Sequence, residues 1–306
     1  MPSANMNTTA TLSAENQTFY DKVLLKRMLP ALVFMRFAQK KTIQHRSGKT
    51  INFRRFTPLE KATTPLTEGV TPSGSKLHVD EVEATLEQYG DFVEMTDVLD
   101  MTGKDPVLTE TCELLGEQGG LTLNDVTCQR VCSGTNVQYA GGVTSTSEVT
   151  AKISSEEVKK AARTLKKANA QTIDGSYVGI IDPEISYDIQ NDPLWIDVSK
   201  YSGGKAIMDG EVGKLGKVRF IETTETHTKE GGRVHCAMII GKDAYGAVDL
   251  ANQSAKQKPK IIVKPFGSGG TTDPLDQRQT AGWKAMYTAV RLNELAMVRL
   301  EVAVSE

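Results

Sequence analysis

Apolar and polar residues alternate with period two along Gly48-Lys-Thr-Ile-Asn-Phe-Arg-Arg-Phe56, with Ile51 and Phe53 on one side and Thr50, Asn52 and Arg54 on the other. A return arm covers 77–95. In it Leu77 and Val79 share one parity, and Val82, Ala84 and Leu86 take the other, which predicts a bulge near Asp80. Between the arms runs a polar connection carrying Pro58, Pro65, Gly69, Pro72 and Gly74. Connections inside a compact domain run about 4–6 residues, and a two-stranded ribbon is marginal by itself in water. Two readings stay open: an arm laid on a neighbouring subunit, or an ordinary surface hairpin with a mobile tip.

Helical spacing dominates the next stretches. Ser13 opens an amphipathic helix through Phe19, Val23, Leu24 and Met28, which Pro30 interrupts. Asp105 and Pro106 suit the start of a longer helix reaching about Cys132, which would be about 40 Å long. Leu108, Cys112, Leu115, Gly119, Leu123 and Val126 fall near one face of it. Gly116, Gly119 and Gly120 either kink this helix or let another backbone come close. Residues 134–152 read as a linker or exposed loop. Ser154 with Glu157 then forms a capping box for a helix with the stripe Val158, Ala161, Ala162, Leu165 and Ala168. Lys159, Lys160, Arg163, Lys166 and Lys167 cover its other side. Such a face can meet nucleic-acid phosphates without reading bases, although a solvated face is its commoner use.

From Tyr177 strand and helix alternate. A buried strand over 177–181 leads to a helix started by Asp182-Pro183, and further strands are expected over 218–221, 234–240 and 261–266. Trp283 to Val304 carries two strand registers, read as one long strand or a pair. The class is α+β.

Composition narrows the function classes. The chain has 306 residues and a net charge of −2, so no global basic field advertises nucleic acid or an acidic membrane. Hydrophobic content of 39% and aromatic content of 6% suit a flat molecule that buries part of its surface on assembly. The amino terminus has no basic segment followed by an apolar core, and no apolar run approaches the roughly 18 residues that span a bilayer, so no membrane partner is expected. Cys112, Cys128, Cys132 and Cys236 are expected as packed thiols. Cys128 and Cys132 stand one helical turn apart, but His45, His78, His227 and His235 show no paired-ligand spacing, so no metal is expected.

Catalytic patterns fail on spacing. Gly48-Lys49-Thr50 looks like the tail of a phosphate-binding loop, yet position 43, where the leading glycine belongs, is Ile43. Ser268 among glycines does not complete a nucleophile elbow. No catalytic residue, cofactor-binding residue or cofactor is expected.

A resemblance joins these pieces. The runs Gly48 to Phe56, Pro65-Leu-Thr-Glu-Gly-Val-Thr-Pro72 and Gln88-Tyr-Gly-Asp-Phe-Val-Glu-Met-Thr-Asp97 resemble one branch of tailed-phage major capsid proteins with the Hong Kong 97-like fold. The similarity continues in order through Gly134 to Gly142, Gly210 to Leu215, Gly241 to Gly246 and Gly267 to Leu275, ending at Gly282-Trp-Lys-Ala285. The resemblance implies an amino-terminal arm (1–47), an extended hairpin loop (48–96) and a peripheral domain with a spine helix (97–152). It also implies an axial domain (153–265) and carboxyl-terminal strands returning to the peripheral domain (266–306).

The function so implied is a capsid subunit that self-assembles in hexamers and pentamers into an icosahedral head around double-stranded DNA. Assembly would take place in the bacterial host cytoplasm, with a portal and scaffolding or decoration proteins as further partners. Arg54, Arg55 and Glu68 are expected as charged subunit contacts, with Phe53 and Phe56 as hairpin anchors; intrasubunit packing is the alternative for each. Some shells of this fold join a hairpin lysine to an asparagine, and Lys61 and Lys76 lie in that region, but a non-covalent shell is expected. The competing readings are an encapsulin-like nanocompartment shell and a cytosolic α/β enzyme or ligand-binding protein.

Overall fold

The bulge expected near Asp80 in the return arm is not made. The computed structural model describes residues 24, 27–28, 32–43, 48–57, 59–102, 107–195, 211–250, 258–268 and 273–305. After a short strand β1 (Gln39–Lys41), β2 (Thr50–Phe56) pairs antiparallel with β3 (Val79–Thr85) in unbroken register, and Asp80 sits opposite Arg55. The Leu86 N–H then donates to the Lys49 carbonyl at 2.7 Å, and β4 (Glu87–Thr96) enters a different sheet. The reason is burial. Ala84 and Leu86 are buried, whereas Leu77 and Val79 face solvent, so no bulge is needed to turn them inward.

A short helix, Asp97–Thr102, precedes the long helix, Val107–Cys132. The expected caps of the long helix, Asp105 and Pro106, lie outside the described residues, as does most of the amino-terminal helix expected from Ser13. Then follow β5 (Val137–Tyr139), the basic helix Ser155–Lys167, β6 (Tyr177–Ile181) and the helix Pro183–Gln190. The remaining strands are β7 (Glu211–Leu215), β8 (Val218–Glu222), β9 (Thr228–Lys229), β10 (Val234–Ile240), β11 (Tyr245–Val248), β12 (Lys260–Lys264), β13 (Arg278–Tyr287), β14 (Ala289–Arg291) and β15 (Met297–Ala303). Strand and helix mix as the α+β expectation requires.

Three sheets organise the body. β1, β11 and β14 form one, β12, β13 and β4 a second, and β5-β15-β10-β6-β8-β7 with β9 beside β10 a third. Pairing crosses the boundaries expected at 153 and 265. β5 and β15 join the third sheet from outside that span, and β12 leaves it to pair with β13.

The third sheet is buried on both faces. Along β10, Ala237 and Ile239 pack with the two shorter helices, while Met238 and Ile240 pack with Phe34, Tyr245 and the last turn of the long helix. The alternation is the ordinary two-residue period of a strand, here apolar in both directions. At the basic helix Ser154 accepts the Glu157 N–H at 3.4 Å, but the Glu157 carboxylate turns to Gln138 and Lys160. Half of the capping box is therefore made.

The long helix bridges two cores. Cys112, Leu115 and Leu123 pack against β4 and β13, and Cys128, Val131 and Cys132 reach the third sheet. Its glycines serve close approach. A Cβ on Gly116 would stand 2.9 Å from the Leu24 carbonyl oxygen, and one on Gly119 would meet Met28 and Trp283. Each glycine costs up to about 1 kcal/mol of helix propensity, which burying Leu24 and Met28 at about 1.5–3 kcal/mol each offsets. Gly116→Val should therefore push the segment at Leu24 off the helix and cost about 1–3 kcal/mol. Thermal unfolding of the purified variant checks this, and an unchanged midpoint would contradict the close packing.

Candidate assembly surface

The hairpin base is fixed by contacts within the chain. Phe53 is buried with its ring over Gly246, where a Cβ would approach it to 2.5 Å, and Lys41 Nζ lies 5.8 Å from the ring centroid. Arg55 donates to the Leu292 carbonyl at 3.3 Å, and Arg54 meets Glu81 across the strands at 3.0 Å. Thr57 closes the ladder, its N–H donating to the His78 carbonyl at 3.1 Å and its hydroxyl to Asp80 at 3.2 Å.

Beyond Thr57 the pairing stops. Residues 59–77 are exposed throughout, form no strand and include Leu59, Leu66, Val70 and Leu77, each more than half exposed. Two local backbone bonds, Thr63 N–H to Lys61 and Val70 N–H to Thr67, accompany that length. Such a segment, with apolar side chains in water and a mostly solvated backbone, exposes surface of the kind that binding covers.

The sequence-selected residues separate accordingly. Phe53 is a core residue of its own chain, the packing alternative given for it above. Arg54 is engaged within the hairpin and Arg55 with the body of its own chain, while Phe56 and Glu68 are exposed. On the basic helix Lys159, Arg163, Lys166 and Lys167 are exposed. Lys160 bridges Glu156 and Glu157 at 3.1 Å each, so its charge is partly neutralised.

No family model and no curated protein sequence matches the chain. Solved structures do match it. The capsid of Ralstonia phage GP4 superposes with a TM-score of 0.71 at 12% identity, over 88% of either chain. The capsid of Cyanophage P-SCSP1u gives 0.65 at 16%, over 90% of this chain and 89% of that one. A virus-like particle from Pyrococcus furiosus gives 0.55 at 11%, over 94% and 99%. This chain has a phage-capsid fold.

Polar side chains cluster at two places within this capsid fold. His235 Nδ1 contacts the Asp182 carboxylate, and its Nε2 faces the Gly232 carbonyl at 3.0 Å. Asp182 also caps the helix Pro183–Gln190 by accepting the Ile185 N–H at 2.7 Å. The couple holds a carbonyl where a catalytic pair would hold a nucleophile. Cys128 and Cys132 lie 3.7 Å apart, and burial pushes the Cys236 thiol up to about 12. No group of three or more metal-ligating side chains is placed for an ion among the described residues.

Sequence reasoning missed a buried ion chain on β15. Glu301 accepts from Lys229 Nζ at 2.7 Å and from Arg299 Nε at 2.8 Å. Arg299 in turn donates to the Cys132 and Gly134 carbonyls, capping the carboxyl end of the long helix. The alternation Val298-Arg-Leu-Glu-Val302 looks like a strand with a wet face, but that face is buried under the helix end. Burial favours the neutral acid, yet the hydrogen bond from Lys229 and the Arg299 charge hold the Glu301 carboxyl below its ordinary value.

A depressed folded-state value stabilises above the unfolded value and is lost as pH falls through the folded one. Stability should thus decline below about pH 4.5. Glu301→Gln should cost about 3 kcal/mol at pH 7 and flatten that acid limb. Denaturant titrations across pH test both effects, and an unaltered acid limb would contradict the assignment.

Proposed function

We propose that this chain is the major subunit of an icosahedral phage head, self-assembling around double-stranded DNA. The capsid fold supports the reading, and the observation that carries it is the unpaired finger at residues 59–77. The mechanism is association, with no chemical step and no cofactor. Each copy lends its finger to neighbours, and modest contacts repeated by symmetry close a lattice. Interface burial per pair should exceed the standard value of about 1,600 Å² once arms are counted. Hexamers and pentamers of the chain, a portal, and scaffolding or decoration proteins are the partners, with assembly in the host cytoplasm and the virion as destination.

Deleting residues 58–75 should leave a soluble, folded subunit that no longer forms shells. Normal particles from that deletion in negative-stain micrographs would overturn the reading.

Packaged DNA is proposed to meet the basic helix. Lys159, Arg163, Lys166 and Lys167 form a cationic strip carried by an apolar stripe that fixes the helix to the third sheet. Phosphate contacts of this kind are sequence-independent and weaken with salt. Changing these four residues to glutamine should lower DNA retention in intact heads. Equal packaged DNA, measured by nuclease-protected absorbance, would return the face to solvent.

A second reading, a cellular shell, has the similarity to the Pyrococcus furiosus virus-like particle in its favour. Purified particles holding protein cargo and no DNA would select it.

A further inference from the structure

β10 brings β9 and β15 together beneath the carboxyl end of the long helix. An open cleft of about 420 Å³ lies there, lined by Gln129, Cys132, Gly134, His227, Lys229 and Arg299. The Arg299 side chain is 10% exposed, and three of its five N–H groups are taken. Nε donates to Glu301 at 2.8 Å, and Nη1 donates to the Cys132 and Gly134 carbonyls. Nη2 makes no hydrogen bond to the described residues, yet it is not sealed from solvent. Lys229 Nζ carries three protons and gives one to Glu301 at 2.7 Å. Four N–H groups at one cleft are therefore unused.

Charge is left over as well. Two full cations face the Glu301 carboxylate and a helix end that carries about half a negative charge. Two further acids are engaged: Glu294, beside Gly134, with Arg291 at 2.5 Å, and Asp125 with the Gln129 amide at 2.7 Å. The balance in the cleft is positive. A guanidinium already fixed by three bonds loses little freedom when it meets a ligand, and paired with an ammonium it suits an oxyanion. A carboxylate would bring two oxygens and one charge. A phosphate ester brings three oxygens and up to about two charges, the better match to four donors. The volume also leaves room for whatever carries the phosphate, since small-molecule sites run about 300–1,000 Å³.

We propose that this cleft binds a phosphate ester, with Arg299 Nη2 and Lys229 Nζ donating to its oxygens and His227 beside them. Glu301 holds both cations in place before the ligand arrives. The site lies within one copy and needs no neighbour, so it stands apart from the assembly reading. A free nucleotide and a nucleic-acid backbone present the same group.

The test is calorimetric titration of the full chain with inorganic phosphate, ADP and a short DNA duplex. Phosphate and ADP should each bind saturably at one site per chain. Lys229→Gln should weaken both about tenfold through loss of a charge-assisted bond. His227→Glu removes none of the ionic bonds and should weaken both about as much by repulsion. Lys159→Gln, on the basic helix, should leave them unchanged. A duplex that competes with phosphate makes a nucleic-acid backbone the source, and one that does not makes it a free phosphate ester. No saturable binding of phosphate or ADP would overturn the site, as would an affinity untouched by His227→Glu. Loss of binding in Lys159→Gln would move the phosphate to the basic helix and overturn the cleft too.

Discussion

The seat of Phe53 on Gly246 fixes where the finger leaves the body. The ring covers a position without a side chain, and Lys41 closes over it. Burying an aromatic side chain of this size contributes about 1.5–3 kcal/mol, enough to hold two strands that would not persist alone. Everything outward of Thr57 depends on that seat, because no ladder bond or core contact holds residues 59–77. The root is stable and the tip is available.

The body behind the root is two cores joined by one helix. Gly116 and Gly119 let the segment at Leu24 and Met28 lie close against the helix. At the other end Arg299 takes the terminal carbonyls and Glu301 holds Arg299. Short-range packing secures one end and buried charge secures the other. Both rely on exclusion of water, which makes the paired charges strong and an unpaired one costly.

Much of this was legible in the sequence where burial and periodicity agree. The strand Tyr177–Ile181, the helix after Asp182-Pro183, the strand Val234–Ile240 and the end of the long helix at Cys132 all follow from local pattern. Legibility failed where apolar residues are exposed or charged residues are buried. Leu77 and Val79 imitate a core face and imply a bulge, yet they stand in water. Arg299 and Glu301 imitate a wet face and are enclosed. Lys160 counts as basic in composition but is taken by its own helix. For the candidate surface, sequence found the finger; it missed the cleft of Lys229 and Arg299, since β10 brings the two together from distant parts of the chain.

The carboxyl-terminal cap on the long helix has a mechanical consequence. Force applied to one core must reach the other through whatever connects them. Here the connector is a rod clamped to β15 by ionic joints inside a low-dielectric interior, where charged hydrogen bonds resist stretching more than loose loops do. A pull on the chain would run along that rod into the broad third sheet and bypass the thin hairpin root.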